Sequence, residues 1–293
     1  CSNGTSDTEN ACTTAFGTWY TGFSTDGSLT TGTANNDEGV YVQQLSDGSY
    51  IIVGNTQAGT GQQSNVYINT ITGIGGDGTA VTMGGAYNDQ VTCVRQTEDG
   101  GYIIVGNSFS TTNAKDIRLI KLNSSRDTTA ANGGGFDSTY NVIDGYFHDK
   151  AVFVQEIDDG MGFVVVGNYW ASGYGQNNVF VIKTDYQGTK TSTATFGGGG
   201  NDYGNCVRQT QDGGFIITGY TISYGNGAKD IWLVKTDPVG EIEWDRTFGG
   251  IHNDGGHDVF QTNSGGFIVL GYTESSGNGQ KDFKLIKTTP LGF

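Results

Sequence analysis

Three observations in the sequence predict an all-β fold of repeated four-stranded antiparallel sheets. The first is a spacing. An Asp stands ten residues before a turn position in five places: Asp37 and Asp47, Asp89 and Asp99, Asp149 and Asp159, Asp202 and Asp212, Asp254 and Ser264. The second is a period, because the leading Asp residues follow one another at 52, 60, 53 and 52 residues, the size of one four-stranded unit in a ring or a stack. The third is composition: 50 Gly and 2 Pro in 293 residues, with 12% aromatic side chains, suits tight turns between short strands and follows no collagen-like triplet.

Within each unit the elements read in the same order. A first strand, such as residues 93–97 or 206–210, runs into Asp-Gly at Asp47-Gly48, Asp99-Gly100, Asp159-Gly160 and Asp212-Gly213, replaced by Ser264-Gly265 in the fifth unit. Asp-Gly predicts a hairpin, because primed turns need positive φ. The second strand is a continuous apolar run at 51–53, 103–105, 164–166, 216–217 and 268–270, the pattern of a strand covered on both faces. A third strand alternates, as at 230–235 and 282–287. The fourth is shorter and more polar, which fits an outer edge that should not attract other strands.

The ends decide between ring and stack. After Asp254 there remain 39 residues, and residues 25–37 supply the 13 that complete a 52-residue unit, with 28–32 falling on 245–249. A strand from the N-terminus is therefore expected to finish the last sheet, which removes free edges, whereas a stack needs distinct caps. The expectation is a five-bladed β-propeller over residues 25–293, with the last blade closed by the N-terminal strand. Residues 1–24 precede it as a polar tether and an aromatic strand with Phe16, Trp19, Tyr20 and Phe23. That strand either lies outside the closing blade or adds to a neighbouring copy.

Charge excludes one class of partner. The net charge is −15, from 15 basic and 30 acidic residues, and phosphate contacts need a basic surface, so nucleic acid is not expected. The same charge suits a soluble secreted protein, or acidic loops that recruit Ca²⁺. No apolar run approaches the 18 residues of a membrane-spanning helix.

Four Cys residues are present. Cys93 and Cys206 take the same place in the second and fourth units and are expected as buried thiols. Cys1 and Cys12 lie in polar sequence and are candidates for lipidation or for a mutual disulfide. A chain beginning at Cys implies a removed leader. Cys1-Ser2-Asn3-Gly4 resembles processed bacterial lipoproteins, which implies an extracellular or cell-surface, lipid-anchored protein.

Trp244-Asp245-Arg246-Thr247-Phe248-Gly249-Gly250, Asn253-Asp254 and Gly265-Gly266-Phe267-Ile268 resemble the propeller repeats of large secreted and surface proteins of bacteria and archaea, often called seven-bladed propeller repeats. The resemblance covers residues 25–293 and implies a structural or adhesive module. Five units instead of seven is a departure from that pattern.

Two sets of candidate site residues follow. Asp37, Asp89, Asp149, Asp202 and Asp254 would form a ring on one face, either accepting amide N–H groups in their own turns or holding Ca²⁺. The loops between second and third strands differ between units and carry Tyr169, Trp170, Tyr174, Tyr220, Tyr224 and Tyr272, aromatic platforms beside Asn and Ser that suit a sugar or a protein surface. For chemistry, His252 and His257 match no zinc spacing, and neither a nucleophile elbow nor a phosphate loop is present. The insertion at 124–146 reads as decoration. The expectation is a non-catalytic extracellular structural, surface-assembly or adhesion protein that assembles with itself or with other surface proteins; the alternative is a lectin-like carbohydrate-binding propeller, with or without Ca²⁺. No cofactor is required by either reading.

Overall fold

In the computed structural model, residues 31–293 are described, except 59–62, 73–77, 79, 85–87, 110–114, 129–134, 143–147, 172–175 and 278. They form five antiparallel sheets in chain order. The first holds β1 (Asp37–Gln44), β2 (Tyr50–Ala58), β3 (Gln63–Ile71) and β4 (Val81–Met83). The second holds β5 (Asp89–Gln96), β6 (Tyr102–Phe109), β7 (Lys115–Leu122) and β8 (Phe136–Tyr140). The third holds β9 (Asp149–Ile157), β10 (Gly162–Ala171), β11 (Gln176–Thr184) and β12 (Lys190–Phe196). The fourth holds β13 (Asp202–Gln209), β14 (Phe215–Thr221), β15 (Asp230–Thr236) and β16 (Ile242–Phe248). The fifth holds three strands among the described residues: β17 (Asp254–Gln261), β18 (Phe267–Thr273) and β19 (Asp282–Lys287).

Local sequence explains the meander. The turns use a type I turn followed by a left-handed Gly, not the primed form expected from Asp-Gly: Gly100 has φ 76° and Gly213 φ 82°, while among the described residues Arg126 alone is a non-Gly residue with positive φ. Gly100 N–H donates to Thr97 O at 2.9 Å, and the Asp99 carboxylate accepts Gly101 N–H at 2.9 Å. The Asp therefore ties the turn together with its side chain, the usual role of a short acidic residue there. Each first strand also carries one bulge, at Val40, Thr92, Val152, Asn205 and His257, where the register with the second strand skips one residue.

Successive sheets pack face to face, with their first strands side by side, giving a propeller-like arc. The core lies between the sheets. Val94, Val154, Val207 and Val259 hold one repeated position and are each 0% exposed; burying such a side chain contributes about 1.5–3 kcal/mol. Side-chain amides fasten one sheet to the next. Asn55 Oδ1 accepts Val91 N–H at 2.9 Å, Asn107 Oδ1 accepts Ala151 N–H at 3.1 Å, and Asn168 Oδ1 accepts Gly204 N–H at 2.8 Å.

The two ends of the arc are bare among the described residues. Val42, the first-sheet equivalent of those four valines, is 59% exposed. A Cβ on Gly39 would meet nothing within 4 Å, whereas one on the matching Gly204 would strike Val166 at 2.7 Å. At the other end Phe283 and Leu285 are 94% and 69% exposed, although Ile231 and Leu233, in the same register of the fourth sheet, are 0%. The expected closure into a five-bladed ring is thus not made among the described residues. Residues 28–30, and Leu29 with them, lie outside those residues. Thr31 and Thr33 sit on the first sheet, with Thr31 Oγ1 3.0 Å from Tyr67 OH and Thr33 N–H donating to Asp37 at 2.7 Å.

Candidate carboxylate site between the second and third sheets

The five repeated Asp residues open the first strands β1, β5, β9, β13 and β17, as the spacing predicted, and most serve their own sheets. Asp202 accepts Gly198 N–H at 2.8 Å and Ser223 Oγ–H at 2.6 Å, with Thr221 as a further donor. Asp254 accepts Gly250 N–H at 3.0 Å and Ser275 Oγ–H at 2.6 Å. Asp37 accepts the Thr33 amide, and Asp89 lies 3.0 Å from Arg118 Nη1. The Thr33, Gly198 and Gly250 amides are own-turn bonds of a short acidic side chain, while the Ser223 and Ser275 hydroxyls and Arg118 reach from other parts of the same sheets. Among the described residues no group of three or more His, Cys, Asp or Glu converges as a metal ion would require.

Asp149 breaks the pattern. It opens the unit that follows the long insertion, and Tyr169 stands opposite it where Thr221 stands opposite Asp202. Its described hydrogen bond comes from Val142 N–H at 2.9 Å, seven residues earlier instead of four. The side chain is buried, and burial first, with the neighbouring Asp116 carboxylate, pushes its pKa up to about 6 against the Val142 amide bond and the Lys190 charge. Asp116 is itself raised by burial. The backbone explains the pairing: a parallel bridge joins Lys115 to His148, so the next residue in each strand, Asp116 and Asp149, share one level of the junction. Lys115, its pKa lowered by burial and by Lys150, lies 3.3 Å from Gln90 Oε1 and over the Phe109 ring at 5.1 Å. The arrangement therefore sets a carboxyl group that keeps its proton to unusually high pH beside a second, half-buried carboxylate.

The aromatic candidates divide. Tyr169 is 7% exposed and belongs to the core, so it offers no platform. Trp170 is 41% and Tyr224 45% exposed, and Tyr224 OH donates to Gly197 O at 3.0 Å. Tyr220 stacks on Tyr203 at 4.7 Å with Lys229 Nζ 4.4 Å from its ring, and its hydroxyl pKa is raised by burial. Tyr272 faces His257 at 5.7 Å and Lys281 at 4.4 Å. Tyr174, Cys1 and Cys12 lie outside the described residues. Cys93 and Cys206 are free and buried, and burial pushes the Cys206 thiol up to about 12, which leaves it inert.

Three partners escaped the sequence reading. Tyr203 follows a repeated Asp directly, and its aromatic character at a position occupied by Gln90 and Lys150 in other units was a usable signal. Asp116 stands in a Lys-Asp pair that recurs at Lys229-Asp230 and Lys281-Asp282, a repeated signal that marks the start of a third strand and not a site. A groove of about 590 Å³ on the fourth sheet is lined by Tyr224, Trp232, Asp245 and Arg246, with Trp232 Nε1–H donating to Asp245 at 2.9 Å. That cross-strand pair, thirteen residues apart, had no local signature.

No family model matches the chain, and no curated protein sequence matches it. Similar solved structures include a putative exo-β-1,3-galactanase from Bifidobacterium bifidum s17, at 14% identity and TM-score 0.46 over 92% of this chain and 91% of that one. A thermostable family-43 glycoside hydrolase is similar at 10% identity and TM-score 0.42, over 86% and 90%. The expectation of a non-catalytic structural, surface-assembly or adhesion protein, with its lectin-like alternative, is corrected here, as is the expectation that the chain is not an enzyme. One of the two similar structures is a putative exo-β-1,3-galactanase and the other a family-43 glycoside hydrolase. The physical reason is that the repeat motif reports how a sheet is built and carries no information on activity.

Proposed function

We propose that this chain is a carbohydrate-active hydrolase that cleaves glycosidic bonds at the junction of the second and third sheets. One observation carries the proposal: Asp149, pushed up to about 6, lies beside a second carboxylate, Asp116. Glycoside hydrolysis needs one carboxyl group that holds a proton for the leaving oxygen and another that is ionised to act as base or nucleophile. Asp149 is the proton donor and Asp116 the ionised partner.

The test is hydrolysis of a panel of aryl glycosides and of β-1,3-linked galactan, followed as phenol and reducing-sugar release. Turnover is expected to fall by about 100-fold or more in Asp149→Asn and Asp116→Asn, since a positioned acid or base contributes about 10²–10⁴-fold. Activity should decline above about pH 6, as Asp149 loses its proton. Absence of hydrolysis across the panel, or undiminished activity in Asp149→Asn, sinks the proposal.

A further inference from the structure

The bare faces at the two ends of the arc are the two halves of one interface. Within the chain that interface is made four times, each time from the first three strands of one sheet and the first strand of the next. On the donating side, Ile117 and Leu119 of the second sheet and Ile231 and Leu233 of the fourth are 0% exposed, while Phe283 and Leu285 at the same register of the fifth are 94% and 69%. On the receiving side, the valine position buried in four sheets is open at Val42, and Val40 beside it is 38% exposed. Leu270, at 44%, extends the apolar strip of the fifth sheet.

Charge gives the two faces opposite character. No Lys or Arg precedes Arg95, so the first sheet carries Asp37, Glu38 and Asp47 with no basic residue, whereas on β19 Lys287 shares the exposed face of Phe283 and Leu285. Complementary charge of this kind steers association and fixes its direction. We propose that the first-sheet face of one copy docks on the fifth-sheet face of a second copy, head to tail, reproducing between chains the packing that joins successive sheets within one. Every copy then presents one face of each kind, so the contact is heterologous and continues until the rotation per copy closes a ring. The partner is a second copy of this chain because its own sheets already match each face in packing and register.

The experiment is sedimentation velocity of the full chain over a hundredfold range of concentration, with Val42→Asp and Phe283→Asp variants. Both positions are exposed, so the variants should keep the wild-type far-ultraviolet circular dichroism; Val40→Asp and Leu285→Asp serve if either does not. Wild type is expected to shift to species of two or more chains as concentration rises. Each variant alone should sediment as a single chain, because one of its faces is spoiled. Mixed together, the two variants should form a two-chain species and nothing larger, since the sound fifth-sheet face of Val42→Asp meets the sound first-sheet face of Phe283→Asp. Wild type that stays a single chain throughout overturns the proposal. A loss of thermal stability in both variants, in that case, would instead assign the two faces to each other within one chain. Association unchanged in both variants overturns it too, by placing the contact elsewhere.

Discussion

Asn107 holds the amide of Ala151 across the junction of the second and third sheets, with its Oδ1 accepting that N–H at 3.1 Å in a buried position. The same contact recurs from Asn55 to Val91 and from Asn168 to Gly204. It lies where neighbouring sheets must agree in height, and no water can replace it.

Removing one such amide should therefore cost more than an ordinary hydrogen bond. Asn168→Ala leaves Gly204 N–H buried without a partner, a loss of about 1–3 kcal/mol. Urea unfolding followed by tryptophan fluorescence measures it as a lower midpoint at unchanged slope. A shift within error of zero would mean that the sheets are held by apolar packing alone.

The repeated valines give a built-in comparison of packed and bare faces. Val207→Ala should lower stability by about 2 kcal/mol, from two lost methyl-sized contacts and an incomplete collapse around them. Val42→Ala, 59% exposed, should lower it by no more than about 0.5 kcal/mol. Equal losses at the two positions would show that Val42 is covered in solution.

Asp99 sets the acid limb of stability. Burial would raise it, but Lys121 at 2.8 Å, Thr97 and the Gly101 amide outweigh that and hold it at about 2. A carboxylate depressed in the folded state adds stability that is present above its unfolded value near 3.8 and is lost as pH falls toward about 2. Melting temperature measured from pH 5 to pH 2 should fall through this window, and Asp99→Asn should flatten part of the decline. Lys121 is fully buried, so Asp99→Ala, which strands its charge, should destabilise more than Lys121→Met, which removes it.

Asp149 acts in the opposite sense. Its folded-state value is raised to about 6, so the native state binds the extra proton, and stability falls as pH rises between about 4 and about 6 before levelling off. Asp149→Asn keeps an oxygen for the Val142 amide and removes the charge. It should raise stability at pH 7.5 by about 2–3 kcal/mol, since each pKa unit corresponds to about 1.4 kcal/mol, and leave it nearly unchanged at pH 4. A variant no more stable than wild type at pH 7.5 would show that Asp149 is solvated or paired. A gain in stability with a loss of hydrolysis is the signature of a group strained for chemistry.

The repeat was legible because each of its parts is local. Asp47, Asp99, Asp159 and Asp212 announce turns from two adjacent residues, and the apolar second strands need no partner to be recognised. The left-handed Gly of each turn was located correctly and its turn type was not, because Asp99 keeps negative φ and bonds the backbone with its side chain. The open arc could not be read the same way: a repeat fixes what each sheet offers its neighbour and says nothing of how far the series bends. Asp149 was found as one of five equivalent residues, and its difference from Asp202 shows in the residue opposite it, Tyr169 in place of Thr221. Asp116 became visible only when the Lys115–His148 bridge set two distant segments at one level.

The bulges at Val40, Thr92, Val152, Asn205 and His257 have a practical reach beyond the twist they impart. Each places one side chain at a residue whose cross-strand pairing is skipped, and the five native choices span branched aliphatic, hydroxyl, amide and imidazole. Randomising these five codons together would redraw the inner rim of the protein while leaving every ladder of the frame in register.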